Sequence, residues 1–109
     1  MTRCEIAEQY EVFRNMRFPK TAYGEPGTRL AELATPLTDA YAAGCVSSYL
    51  VASTEEPVDE WKIGVLEECI PRLGDIADCL IESDDVAYFR LLQKLSEAVL
   101  EKAQAGDYD

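Results

Sequence analysis

The sequence contains no histidine among its 109 residues. Histidine is the usual general base of enzymes, the commonest protein metal ligand and the partner of serine and cysteine nucleophiles, so the standard forms of these sites are excluded. Basic residues are also scarce: 10 Lys and Arg stand against 21 Asp and Glu, and the formal net charge is -11. Nucleic acids and anionic membranes both attract basic surfaces. We therefore expect no direct binding to nucleic acid and no binding to a membrane.

Long apolar runs are missing as well. The longest stretch without a charged residue, Ala40–Thr54, is shorter than the ~20 residues that span a bilayer, and it contains three serines. The residues after Met1 mix acidic and apolar side chains from the start, without the basic beginning and apolar core of a signal peptide. These features favour a cytoplasmic location.

The cysteines give little support for a metal site. Cys4, Cys45, Cys69 and Cys79 form no CxxC pair, whereas a structural zinc site or a disulfide framework usually has closely spaced cysteines. The last three fall at apolar positions of helical patterns. We expect these three to be free thiols in the core of a protein from a reducing compartment.

Apolar residues recur at helical spacing and nowhere alternate with a period of two, which predicts an all-α protein without a sheet. Thr2 and Glu5 have the spacing of a capping box, and the helix they begin is predicted to reach about Arg17. The next segment, Phe18–Gly27, has the prolines and glycines of a loop.

Pro36 divides the second helical region. A helix is predicted from about Thr28, and Thr35 with Pro36 is typical of an N-cap and a first turn, so a short helix ends there and a new one begins. The following segment, Leu37–Ala52, has only Asp39 as a charged residue and is rich in small side chains. Since a helix that is apolar or small on all sides is usually buried, we predict that this is the central helix.

The last two predicted helices fill the second half of the chain. Ser53 and Glu56 have capping-box spacing, and the helix that follows is predicted to run to about Ile81 with a kink or break at Pro71. The final helix is predicted over Ser83–Ala105, with Gly106 as its stop and a frayed end beyond it.

These elements predict one domain over residues 1–109. Its length and its 48% hydrophobic content suit a single core. The short connections favour antiparallel neighbours. We expect a compact antiparallel bundle of four main helices, or five segments where Pro36 and Pro71 divide them.

The third long helix has two contrasting faces on a helical wheel. Its apolar residues, Trp61 included, fill one arc, and Lys62 and Arg72 project from that same arc. The opposite arc is acidic and has no basic partner built into it. Its carboxylates are Glu60, Glu67, Glu68, Asp75, Asp78 and Glu82.

This acidic arrangement carries an energetic cost. Asp75 and Asp78 are three residues apart, and Asp78 and Glu82 four, and like charges at these spacings destabilise a helix by about 0.2–0.5 kcal/mol per pair. The final helix instead mixes both signs, with Arg90, Lys94, Glu97 and Glu101 on its outer face. The acidic face has two readings: a solvated face that keeps the protein soluble, or a surface complementary to a basic partner.

A short segment also resembles part of an enzyme motif. Leu73-Gly74-Asp75-Ile76-Ala77 is similar to the Leu-Gly-Asp part of the second acidic motif in helical nucleoside-triphosphate pyrophosphohydrolases of the MazG type, over about ten residues. The resemblance implies a carboxylate site for Mg²⁺. The chain departs from the motif, since Arg72 stands where the family has a glutamate and only Glu55–Asp59 is offered for the upstream motif. Asp75 is also predicted to face solvent.

We therefore expect a non-enzymatic acidic binding protein, without catalytic residues, metal or cofactor, that docks its carboxylate-rich helix on a basic protein partner. An immunity protein, an antitoxin or a nucleic-acid mimic is a protein of this type. Two alternatives are an Mg²⁺-dependent pyrophosphohydrolase and a structural homodimer, in which the basic first helix of one copy meets the acidic face of another. Tyr23, in the first loop, is a second and weaker binding candidate.

Overall fold

The computed structural model describes all 109 residues and confirms the all-α fold, with no strand. Four long helices pack as a bundle, joined by one short α-helix and one 3-10 helix. The helices are α1 (Arg3–Arg14), α2 (Arg29–Glu32), α3 (Thr35–Val51), α4 (Glu60–Cys79) and α5 (Ser83–Ala105), and the 3-10 helix spans Lys20–Tyr23. No helix is both long enough and apolar enough to cross a bilayer.

The capping box of α1 is confirmed. The Thr2 hydroxyl accepts a hydrogen bond from the Glu5 backbone N–H, and the Glu5 carboxylate accepts one from the Thr2 N–H, both over 3.2 Å. The bonds from the Thr2 backbone and side chain hold the pKa of the Glu5 carboxyl below its usual value. The helix ends at Arg14, earlier than the predicted Arg17, and Asn15 closes it with a side-chain bond to the Glu11 carbonyl.

The predicted break at Pro36 is also confirmed, but Thr35 is not the N-cap. That position belongs to Ala34, which adopts a left-handed conformation at φ 48° between α2 and α3. Thr35 is instead the first helical residue, and its buried hydroxyl donates to the Leu30 carbonyl over 3.0 Å. A side-chain hydrogen bond between Thr35 and Leu30 therefore holds α2 and α3 together, and no side chain caps the first turn of α3.

The predicted start of α4 at Ser53 is wrong. The Ser53 hydroxyl does accept from the Glu56 N–H over 3.2 Å, but the chain only bends there and the helix begins at Glu60. Pro57 disfavours the helical conformation at Glu56, which accounts for the absence of a helix over Ser53–Glu56. Further along, α4 continues through Pro71 without ending and stops at Cys79, two residues before the predicted Ile81.

The Leu37–Ala52 helix is central in its contacts, since α3 packs against every other helix, but it is not buried on all sides as predicted. The final helix, α5, packs against α1, α3 and α4 and buries a stripe along most of its length. By contrast, α3 buries only one side, and Leu37, Tyr41 and Val51 on its other side are exposed by 53%, 52% and 82%. The prediction failed because an absence of charge was taken as a sign of burial on all sides.

The chain after Gly106 is anchored, so the prediction of a frayed end is wrong. Gly106 does end α5 in a left-handed conformation at φ 69°, as expected. Tyr108 is then only 7% exposed, stacks on Tyr49 with ring centroids 5.8 Å apart, and its hydroxyl accepts a bond from the Val58 N–H. The Arg3 guanidinium donates to the Leu50 and Tyr108 carbonyls.

Two of the four cysteines are buried and two are exposed. All are free thiols, with Cys45 and Cys69 buried as predicted. Burial raises the pKa of both of these thiols. The prediction for Cys79 is wrong: it is exposed at the last residue of α4, as is Cys4 in the first turn of α1.

Candidate functional site

The predicted acidic residues lie on the exposed side of α4 and in the connection after it. We call this surface the acidic face, and all six of its carboxylates are exposed: Glu60, Glu67, Glu68, Asp75, Asp78 and Glu82. The prediction for Glu82 is wrong, because α4 ends at Cys79 and Glu82, in an extended conformation, is not on the helical face with the other five. The first five lie on α4, which has 20 residues and is about 30 Å long. The face is therefore an extended strip rather than a pocket.

Two of these carboxylates have basic partners that the sequence analysis missed. Arg29 on α2 pairs with Asp75 over 3.4 Å, and Arg90 on α5 pairs with Asp78 over 2.6 Å. Both arginines come from other helices, so a wheel drawn for one helix does not reveal them. Because all four side chains are about half exposed or more, each pair contributes at most about 1 kcal/mol.

The other carboxylates of the acidic face make no ion pair within the chain. Glu67 accepts a hydrogen bond from the Gln104 side chain over 3.2 Å. Glu60, Glu68 and Glu82 lie outside every internal salt bridge of the structure, so their charges are open to an external partner.

The two basic residues of α4 do not neutralise the acidic face. Lys62 is half-buried on the side toward α3, where its ammonium donates to the Ser48 hydroxyl over 3.1 Å. Arg72 is exposed but forms no ion pair. The arrangement can attract and orient a cationic surface.

The structure gives no support to a metal centre. No three carboxylate or thiol side chains are placed together so that they could hold an ion. Asp75, in the segment that resembles the pyrophosphohydrolase motif, is exposed and paired with Arg29. Asp59 immediately precedes α4, so it lies about 24 Å along the helix axis from Asp75, which separates the two acidic segments that the resemblance would bring together.

Sequence reasoning missed a second surface, beside the first. Trp61 was placed on the apolar arc facing the core, but it is 64% exposed. It borders a surface groove of about 170 Å³ between α3 and α4, whose lining includes Tyr41, Gly44 and Val65. Helical periodicity does not reveal this surface, because it does not tell an apolar face that meets the core from one that meets water.

Tyr23 is exposed by 59% and packs against Phe18 with ring centroids 4.9 Å apart. Its role in binding stays a prediction. No family model, no curated protein and no solved structure matches the chain. The candidate site therefore rests on the geometry of this chain alone.

Proposed function

We propose that the chain is a non-enzymatic binding protein that docks its acidic face on a basic surface of a partner protein. The observation that carries the proposal is that Glu60, Glu68 and Glu82 are exposed without an internal ion pair, beside three further carboxylates of the same strip. A surface of one charge sign that the protein does not neutralise itself accelerates encounter with the opposite sign and selects against acidic partners.

The chemistry of the partner follows from this face. Lysine and arginine side chains spaced along a helix or a groove about 30 Å long would meet the carboxylates in turn. Where such a basic surface binds phosphate groups, occupation by the acidic face would exclude them, and the protein would act as an inhibitor. This is the mode of action expected of an immunity protein, an antitoxin or a nucleic-acid mimic.

The test reverses charges that make no internal contact. The double variant Glu60→Lys/Glu68→Lys changes the acidic face, whereas Asp75 and Asp78 are unsuitable because reversal would break their pairs with arginine. The matched control is Glu97→Lys/Glu101→Lys on the exposed side of α5, which changes the net charge by the same amount.

We expect tagged wild-type protein and the α5 control to capture the same basic protein from a low-salt lysate of the source cells. The Glu60→Lys/Glu68→Lys variant should lose it, with its helical circular dichroism unchanged. Equal capture of that protein by all three forms would contradict the proposal and leave the acidic face with a role in solubility only.

A further inference from the structure

The exposed side of α3 differs from every other helix surface in the molecule, because it carries no charge. We call it the uncharged face. It consists of Pro36, Leu37, Ala40, Tyr41, Gly44, Ser47 and Val51, all exposed. The single charged residue of α3, Asp39, lies on the flank, half-buried and bonded to the Tyr88 hydroxyl over 2.8 Å. The exposed sides of α1, α4 and α5 all carry charged residues.

The uncharged face has a large apolar area for a surface that is exposed to water. Leu37, Tyr41, Val51 and the neighbouring Trp61 are exposed by 53%, 52%, 82% and 64%. For side chains of this size, that leaves on the order of 500 Å² of largely apolar surface, comparable to the largest patch of a typical monomer. The small residues between them extend it toward the roughly 800 Å² per copy that a stable dimer buries.

The pattern of side chains is self-complementary. Leu37, Gly44 and Val51 follow one another at seven-residue intervals, with Ala40 and Ser47 between them, which is the spacing of a helix–helix seam. Large residues stand at both ends and small ones in the middle. In an antiparallel pair of α3 helices crossing at Gly44, the Leu37 end of one copy would therefore meet the Val51 end of the other, and the backbones would approach closely at the centre.

Trp61 fits the same arrangement. The groove that Trp61 borders runs along the middle of α3, from Ala40 past Gly44 to Ser48. In an antiparallel pair that crosses at Gly44, the second α3 helix would therefore lie next to Trp61.

Charge restricts where two copies of the chain can meet. Each chain has a formal net charge of -11, so most contacts between two copies would bring carboxylates together. The uncharged face is the helix surface at which two copies meet without that repulsion. A basic partner, in contrast, is attracted to α4.

We propose that the chain forms a two-fold symmetric dimer through the uncharged face of α3, with Gly44 at the crossing point and Trp61 covered by the second copy. This goes beyond the proposed function, since the dimer uses a different surface and leaves the acidic face open. Its failure would leave the binding of a basic partner untouched.

The test places a charge at the crossing point. A Cβ atom added at Gly44 has no neighbour within 4 Å, so Gly44→Lys fits the monomer, and it should stabilise α3 by replacing a glycine. The matched control is Gly64→Lys in the second turn of α4, where an added Cβ also has no neighbour within 4 Å but the surface is the acidic one.

Sedimentation equilibrium from micromolar to near-millimolar protein should show the wild type and Gly64→Lys approaching twice the 12.1 kDa monomer mass. Gly44→Lys should stay monomeric, with its dissociation constant raised at least about 100-fold because two ammonium groups would be buried face to face. Trp61 is the single tryptophan, so its emission should shift to shorter wavelength on concentration in the wild type and not in Gly44→Lys.

A wild type that stays monomeric over this range would overturn the proposal, whatever else binds the uncharged face. A dimer that Gly44→Lys leaves intact would overturn it too, because the contact would then lie elsewhere. Equal loss of the dimer in both variants would likewise show that the effect is not specific to α3.

Discussion

The hydroxyl of Tyr88 on α5 donates a hydrogen bond to the Asp39 carboxylate on α3 over 2.8 Å. Burial raises the pKa of Asp39 above its ordinary value of 3.8, and the bond from Tyr88 opposes this rise. Burial, together with the bond to Asp39 and its charge, raises the pKa of the Tyr88 hydroxyl as well. The pair therefore joins two helices while holding a partly desolvated charge.

We expect Asp39→Asn to be more stable than the wild type at pH 7. The amide oxygen still accepts from Tyr88, and no charge is desolvated. A carboxyl whose pKa is raised by folding binds more protons in the folded state, so its contribution to stability falls as pH rises from 3.8 through the folded pKa. The advantage of the variant should thus be present at pH 7 and vanish near pH 3.

Thermal unfolding of the wild type and of Asp39→Asn at pH 7 and pH 3 measures the difference in their stability. Lower stability of Asp39→Asn at pH 7, or a difference that does not change between pH 7 and pH 3, would show that burial of the Asp39 charge does not oppose folding.

At the scale of the helices, local contacts were predictable and contacts between helices were not. Thr2 with Glu5, and Gly106 at the end of α5, act within a few residues of themselves, and both were predicted. The bond between Arg29 and Asp75 joins residues 46 apart in sequence, so only the packing of α2 against α4 brings it about.

In the candidate site, too, some features were predictable from the sequence and others were not. Five carboxylates of the acidic face were predictable because helical periodicity alone puts them on one side of α4, whereas Glu82 lies beyond the end of that helix. The exposure of Trp61 was not, since it depends on where α3 ends beside α4. Likewise, Leu37 and Val51 are apolar at positions that the core never reaches, and periodicity does not tell a face that meets the core from one that meets water.

The residues after α5 are predicted to contribute to stability through Tyr108. Tyr108 is buried, and its hydroxyl accepts from the Val58 N–H over 3.1 Å in the connection before α4. Tyr108→Phe keeps the ring on Tyr49 but leaves that N–H without a partner. We expect a loss of about 1 kcal/mol in the free energy of unfolding, measured by urea denaturation.

The exposed Tyr23 offers the control, since Tyr23→Phe removes a hydroxyl that makes no hydrogen bond within 3.5 Å. Tyr23→Phe should leave stability unchanged. A Tyr108→Phe variant as stable as Tyr23→Phe would mean that the residues after Gly106 contribute nothing through this bond.

At the scale of the whole molecule, the two proposed interactions, partner binding and dimerisation, use two different surfaces. The acidic face of α4 concentrates charge that the protein does not neutralise, and the uncharged face of α3 is free of it. They lie on neighbouring helices and do not share a residue, so a dimer formed through α3 would display two acidic faces. One molecule of partner could then engage each copy.

The central claim is that the acidic face recruits a basic partner, and the association rate constant tests it most directly. Stopped-flow mixing with the captured partner would follow this rate over roughly 0.02 to 0.5 M salt, across which the Debye length falls from about 20 to 4 Å. For the wild type and for Glu97→Lys/Glu101→Lys, we expect the rate constant to fall by at least about tenfold over this range. Glu60→Lys/Glu68→Lys should associate more slowly at low salt and depend less on it. An association rate for that variant equal to the wild-type rate at every salt concentration would contradict the claim.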